Sequence, residues 1–325
     1  MKSLAPIALT ALTSLALATP LVATAEPAYP LKPVKIVVGY APGGSADAAA
    51  RLLANQLSVR MKQPFVVENR PGAASSIAAS GVARSAPDGY TLFLGSNANA
   101  INATLYKKLP FDIRKDFAPV ALITSFPNVM VVNPSMPVKT VGEFIAYAKA
   151  HPGAVNFASS GIGSSTHLSA EMFKSMAGIK MEHIQYKGSA PALTDLMAGQ
   201  VQVMFDNAPS VLRFIRSGKL RAIAVTSAQP QPFAPQLPTI AGAGLPGFEV
   251  KSWYGLFAPA DTPPAVVQAL NQQVNAALQD RSMRDQLATL GASPEGGTPE
   301  AMRRHVEQEV TKWAAVIRQS GATAE

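Results

Sequence analysis

From residue 34 onward, short apolar runs alternate with longer stretches whose apolar positions recur every three or four residues. Residues 34–38 (VKIVV) read as a strand, stopped by Gly39 and the Pro42-Gly43-Gly44 turn. A helix is predicted from Ser45, because Ala50, Leu53, Leu57 and Met61 share one face. Residues 65–67 form a second strand, an Ala-rich helix runs to about Arg84, and residues 90–94 form a third strand. This β-α-β-α-β order predicts a parallel sheet with right-handed crossovers and helices on both faces. The middle repeats the theme, with strands at 129–132, 155–158, 201–205 and 221–225 and a helix at 141–150. Further helices follow the 159–165 and 187–189 turns. Residues 229–247 are rich in Pro and Gly and read as a surface loop. A last strand at 253–257 precedes two terminal helices that begin at Thr262-Pro263 and Thr298-Pro299. Their buried stripes are Leu270, Val274, Leu278 and Val306, Val310, Trp313, Ile317.

The first 25 residues do not belong to this pattern. Lys2 precedes an apolar stretch over residues 4–18, and Ala23-Thr24-Ala25 fits a small-x-small cleavage site. A cleaved export leader ending at Ala25 is expected; the stretch is broken by Pro6 and Pro20 and is short for a membrane span. The remainder should be soluble outside the cytoplasm.

Composition narrows the chemistry. The chain has 325 residues, 48% apolar and only 15% charged, with 28 Lys+Arg against 20 Asp+Glu and no cysteine. Zero Cys excludes disulfides, thiolate metal sites and a cysteine nucleophile. The four histidines (His151, His167, His183, His305) show no metal-ligand spacing, so no metal or cofactor is expected. The basic residues are scattered with no basic–aromatic stripe, which argues against nucleic acid as a partner.

Three strand-to-helix junctions are rich in Gly and Ser: residues 40–45, 159–166 and 186–189. In an open α/β sheet ligands bind beyond the carboxyl ends of strands, where such junctions sit. Each opens a helix whose first N–H groups lack intrahelical partners, which suits a carboxylate or phosphate. No nucleotide motif is present. Ser45, Ser164 and Ser189 could instead serve only as helix caps. Asp47 and Arg51 read as a surface ion pair. Asp206, ending the 203–205 strand, could meet a ligand or cap the following helix. Tyr40, Tyr186 and Trp253 could wall a pocket or belong to the core. Ser164 and His167 do not form a G-x-S-x-G elbow, and three-residue spacing on one helical turn does not suit a hydrolase triad.

Several ordered motifs carry a resemblance. Tyr-Ala-Pro-Gly-Gly-Ser-Ala-Asp (40–47), Val-Glu-Asn-Arg-Pro-Gly-Ala (67–73), Ala-Pro-Asp-Gly-Tyr-Thr-Leu (86–92) and Leu-Tyr-Lys-Lys-Leu-Pro-Phe-Asp (105–112) resemble the Bug family of periplasmic substrate-binding proteins. Residues 157–168, 186–193 and 253–259 extend the likeness over the mature chain. The resemblance implies a type II periplasmic-binding-protein fold, α/β throughout, with two lobes around an interlobe ligand cleft. Expected boundaries are a signal peptide at 1–25, lobe 1 from 26–127 and 248–325, and lobe 2 from 128–247. It implies capture of a small organic carboxylate, without catalysis, and delivery to a membrane permease of the tripartite tricarboxylate type. The protein is expected to be a periplasmic monomer. The ligand set expected is Tyr40, Gly43, Gly44, Ser45, Ser96, Ser160, Gly163, Ser164, Ser165, Thr166 and Asp206. A sensory role beside a receptor kinase and a secreted serine hydrolase are the alternatives. After Arg70-Pro71-Gly72 the family's Gly-Gly-Asn-type run is replaced by Ala74-Ser75-Ser76, which is expected to alter the pocket floor.

Overall fold

The computed structural model describes Met1, residues 29–320 and residues 322–323. The expected leader and its cleavage point lie outside the described residues. In chain order the elements begin β1 (Val34–Val38), α1 (Ser45–Met61), β2 (Phe65–Asn69), a 3-10 turn (Ala73–Ser75), α2 (Ser76–Ala83), β3 (Thr91–Ser96), α3 (Asn97–Leu105) and β4 (Phe117–Val132). The middle contains α4 (Val141–Ala150), β5 (Asn156–Ser159), α5 (Ser165–Ala177), β6 (Glu182–Gln185), α6 (Ser189–Met197), β7 (Val203–Asn207), α7 (Ala208–Arg216) and β8 (Arg221–Val225). The chain closes with β9 (Lys251–Pro259), α8 (Pro264–Gln279), α9 (Arg281–Thr289), β10 (Ser293–Gly296) and α10 (Pro299–Ser320).

The strands run in the order β2-β1-β3-β9-β4-β7-β5-β6, with β10 and β8 also paired to β4. Pairing within β2-β1-β3 and within β6-β5-β7 is parallel, as alternating strand–helix units require. The sheet as a whole is mixed, because β4 and β9 join the two parallel groups antiparallel. The strand expected at 129–132 is the end of this longer element. Up to Pro127, β4 pairs with β9; from Asn128 it pairs with β7 and, from Val129, with β8. Proline contributes no donor to a ladder, and Pro127 sits where the partners change.

Each half buries its own apolar face. In the first, Ala50, Leu53 and Leu57 of α1 and Leu270, Val274 and Leu278 of α8 pack on β1, β3 and β9. In the second, Leu193 and Leu196 of α6 and Val211 and Leu212 of α7 pack on β4 and β7. Trp253 and Trp313 are core residues, and both indole N–H groups donate to buried Glu309, at 2.9 and 3.0 Å. Trp253 therefore belongs to packing.

A buried polar knot joins the halves beside β4. Asn128 N–H donates to Thr226 Oγ1 at 2.8 Å, Thr226 Oγ1 donates to Val250 O at 2.7 Å, and Ser252 Oγ donates to Asn128 Oδ1 at 3.0 Å. Each of these polar atoms has a partner, so their burial does not leave desolvated groups unmatched.

Candidate functional site

Between the two halves lies a cavity of about 20 Å³. Its wall includes Tyr40, Gly44, Ser45, Ser96, Ser160 and Ser165 from the expected set, together with Asn97, Ser189, Asn207 and Tyr254. The lining contains no Lys, Arg, Asp or Glu. Five helices start here: α1 at Ser45, α3 at Asn97, α5 at Ser165, α6 at Ser189 and α7 just after Asn207. Each start presents N–H groups that have no intrahelical partner, and a partial positive charge of roughly half an electron. The sequence signalled three of these junctions. The starts of α3 and α7 lack the glycine-rich signature of the other three, and there the sequence pointed only to single residues, Ser96 and Asp206, without naming Asn97 or Asn207.

The 40–45 loop is shaped from behind by Asp47. Its carboxylate is buried and accepts from Gly43 N–H (3.1 Å), Arg51 Nε (3.0 Å) and Asn69 Nδ2 (3.0 Å). Burial pushes its pKa up, but the bonds from Arg51, Gly43 and Asn69 outweigh it and hold the carboxyl below its usual range. The expected surface pair is thus a buried clamp, with only Arg51 largely exposed. Gly44 caps α1 with backbone alone, so Ser45 is free of capping duty. The Ser45 hydroxyl meets Tyr254 Oη at 2.7 Å and accepts from Asn207 Nδ2 at 2.9 Å, while its N–H donates to Ser210 Oγ at 3.1 Å. The bonds to Asn207 and Ser210 reach from the first half of the molecule to the second, whereas Tyr254 lies on β9 in the first.

The 159–166 loop is built differently. Ser164 caps α5, accepting from His167 N–H at 3.2 Å, and donates to Gly161 O at 2.6 Å. Thr166 Oγ1 accepts from Ser160 N–H at 2.8 Å. Gly163 has φ +85°, and a side chain there would collide with Asn102. Gly163, Ser164 and Thr166 therefore hold the loop's shape behind the wall, and Ser160 and Ser165 face the cavity. Gly43 (φ +86°) plays the corresponding shaping role in the first loop and is also outside the lining.

His167 Nδ1 accepts from Gly163 N–H at 3.3 Å, and its ring stacks on His183 at 4.3 Å. Burial depresses both, His167 to about 3, further lowered by His183 and Lys174, and His183 to about 4, further lowered by Lys174. Both are neutral near pH 7. Ser164 donates to a carbonyl and His167 accepts from Gly163, so these two do not form a nucleophile–base pair. The Ser159 hydroxyl, at 2.6 Å from His183 Nε2, also accepts from Gly161 N–H and lies outside the cavity wall.

Asp206 is fully buried and is not part of the wall. Its Oδ1 accepts from Ser189 Oγ (2.7 Å) and from Asn207 N–H (2.8 Å), so it stands one layer behind two lining residues. Burial, only partly offset by those two bonds, pushes its pKa up to about 7. The Tyr40 hydroxyl is pushed up to about 12 by burial against the lowering effect of Ser96, and burial also raises Tyr254; both remain O–H groups. Tyr186 lines a neighbouring cavity of about 240 Å³ with Tyr106, Lys187, Gly72, Ala73 and Ala74. There Ala73, Ala74 and Ser75 adopt left-handed φ values of 45°, 43° and 75°.

Taken together the wall is a set of neutral donors suited to an anion. Residues 49–322 match the family described as "Tripartite tricarboxylate transporter family receptor". The chain is 39% identical over 296 residues to the protein BugT of Bordetella pertussis, covering 90% of this chain and 91% of that one. It is similar to the Rhodopseudomonas palustris structure "Rpa4515 with adipate" (TM-score 0.89, 41% identity, 91% of this chain and 99% of that one). It is also similar to "MatC (Rpa3494)" of the same organism "with bound malate" (TM-score 0.86, 35% identity, 89% and 100%), and to the periplasmic binding protein BugD (TM-score 0.89, 35% identity, 91% and 99%). Type II periplasmic binding proteins share this arrangement of two α/β lobes around a cleft, and the chain belongs to the tripartite tricarboxylate transporter receptor family, a family of solute-binding receptors that includes the Bug proteins.

Proposed function

We propose that this chain captures an aliphatic carboxylate between its lobes in the periplasm and presents it to a tripartite tricarboxylate-type permease. The carrying observation is the convergence of five helix starts and several neutral donors on one cavity with no charged side chain in its wall. A micromolar Kd requires about −8 kcal/mol. Helix ends contribute roughly 0.3–1 kcal/mol each, and hydrogen bonds to a charged group about 1.5–3 kcal/mol each. Several of each, minus the cost of ordering, supply that figure without a Lys or Arg. The adipate and malate held by the two Rhodopseudomonas relatives guide the choice of a dicarboxylate as ligand class.

The lobes divide at 127/128 and 247/248 in this reading, supported by the change of partners along β4 at Pro127–Asn128. A cavity of about 20 Å³ holds about one water molecule, so a dicarboxylate enters only when the lobes part. Reclosure exchanges the Ser45–Asn207 and Ser45–Ser210 bonds for bonds to ligand, which stabilises the closed form. Removal of a leader after Ala25 and action as a monomer complete the proposal. Among the described residues, no helix is long and apolar enough to cross a membrane.

The test is calorimetric titration of the purified protein with a panel from malate to adipate. Micromolar or tighter binding of at least one member is expected, weakened about tenfold or more by Asn207→Ala. Failure of every member to bind overturns the reading.

A further inference from the structure

Asp206 is a carboxylate buried directly behind the candidate wall and, unlike Asp47 behind the 40–45 loop, it has no basic side chain among the described residues bonded to it. Its Oδ1 takes two hydrogen bonds and its Oδ2, also buried, has no partner among the described residues. A carboxylate only accepts, so the Ser189 hydroxyl must spend its proton on Asp206. Ser189 lines the cavity and is thereby left to offer lone pairs to whatever lies there. Lone pairs repel a ligand carboxylate. A neutral Asp206 reverses the direction: its O–H donates to Ser189 Oγ, and the Ser189 proton turns toward the ligand.

We infer that Asp206 is a positioning residue whose protonation turns Ser189 from acceptor to donor, coupling carboxylate capture to uptake of one proton from solvent. The inference rests on the carboxylate reading above. The proton is drawn from water or buffer and lodges on the Asp206 carboxyl; no other bond changes. An anion in the cavity also favours the neutral acid directly, since like charges held in a dry site repel.

The surroundings leave this group to titrate alone. The elements packed on β7 carry His167, Glu171 and Lys174 (α5), Asp195 (α6), and Arg213 and Arg216 (α7). None of them contributes to the ionisation of Asp206, which is governed by burial and by Ser189 and Asn207. Across the cleft Tyr254 of β9 couples to it, and that hydroxyl is held far above neutrality by burial. His167 and His183 stay neutral well below pH 6.

The experiment is calorimetric titration with the same malate-to-adipate panel at about pH 6.5 and 8.5, where both ligand carboxylates are ionised. Each titration is run in two buffers of different ionisation enthalpy. For wild type the account expects affinity to fall by up to roughly twentyfold from the lower to the higher pH, with close to one proton taken up per ligand at the higher. In Asp206→Asn the pH dependence and the proton uptake disappear together; in Ser189→Ala, which keeps the buried acid but removes the relay, the pH dependence shrinks by more than half. The proton count needs only wild-type protein, so it decides the matter even if a variant fails to fold. Binding with no proton uptake and no pH dependence overturns this inference and leaves the carboxylate reading intact. Failure of the whole panel at both pH values overturns both.

Discussion

The two glycine–serine loops that flank the cavity look alike in sequence and are built on opposite plans. In residues 40–45 the shape is imposed from outside, by Asp47 gripping Gly43 N–H and Asn69, while the helix cap is bare backbone. That leaves Ser45 free to face the cleft and to bond across it to Asn207 and Ser210. In residues 159–166 the loop holds itself: Ser164 and Thr166 spend their hydroxyls on the loop's own backbone, and His167 steadies Gly163. Only Ser160 and Ser165 remain for the wall. A hydroxyl used to make a loop is not available to a ligand, so serine content alone overstates the number of binding groups.

The widest separation between the loops should come from their glycines. Gly43→Ala and Gly163→Ala both place a side chain at left-handed φ, which costs roughly 1–2 kcal/mol. At Gly43 the new methyl meets only Ala190 at 3.7 Å, whereas at Gly163 it overlaps Asn102 and presses Leu105 at 3.1 Å. Overpacking adds about 1–3 kcal/mol, so denaturant unfolding should show Gly163→Ala as the costlier change by that margin. Equal losses would mean that the second loop yields as readily as the first.

Serine substitutions sharpen the contrast next. Ser45→Ala removes a donor from the cleft and should weaken carboxylate binding by roughly tenfold to a hundredfold, following ~1.5–3 kcal/mol per charge-assisted bond. Ser164→Ala removes a cap and should lower stability by about 1 kcal/mol, with a smaller effect on affinity than Ser45→Ala. Calorimetry paired with denaturation separates the two, and a reversed order would contradict the assignment of roles.

Acid should loosen the loops in different windows, a smaller effect. His167 and His183 have folded pKa values below the unfolded one, so the unfolded chain binds protons first. The stability they permit is intact above about pH 6.5 and declines as pH falls toward 4 and 3. Asp47, also lowered, contributes above the ordinary carboxyl range and loses that contribution only as pH falls through its own depressed value. Amide-exchange protection followed by NMR should therefore fail at Gly163 at a higher pH than at Gly43. Simultaneous loss would point to global unfolding instead.

Asp206 runs the other way. Its folded pKa is raised, so the folded state holds a proton that the unfolded chain releases, and stability falls as pH rises through the range between the ordinary Asp value and about 7. Asp206→Asn should then gain stability at pH 8, in thermal melts, relative to its difference at pH 4.

Much of this was legible beforehand. Alternation of strand and helix patterns placed β1, α1, β2, α4 and β8 where they lie, because each carries a clear apolar period between turn signals. The sixteen-residue β4 was legible only at its end, 129–132; Pro119 and Pro127 interrupt the earlier part, and the pairing pattern alone shows them tolerated at a register shift and at a change of partner. Edge strand β6, with polar and exposed residues, has no apolar alternation to read. At the site, the loops were visible as composition. Which hydroxyl faces inward depends on bonds between residues far apart in sequence: Ser45 with Asn207 and Tyr254, or Gly163 with Asn102. Asp206 shows the same limit, since a strand-end acid looks identical from sequence whether it lines a cleft or backs it.

The proposed site holds a ligand carboxylate with neutral donors at converging helix starts. A crystal structure of the protein with a dicarboxylate tests it most directly. Carboxylate oxygens are expected within hydrogen-bond distance of Ser45 and Ser165, beside the first turns of α1 and α5, with no Lys or Arg side chain in contact. A carboxylate paired with Lys187 or another cation, or seated outside this cavity, would contradict it.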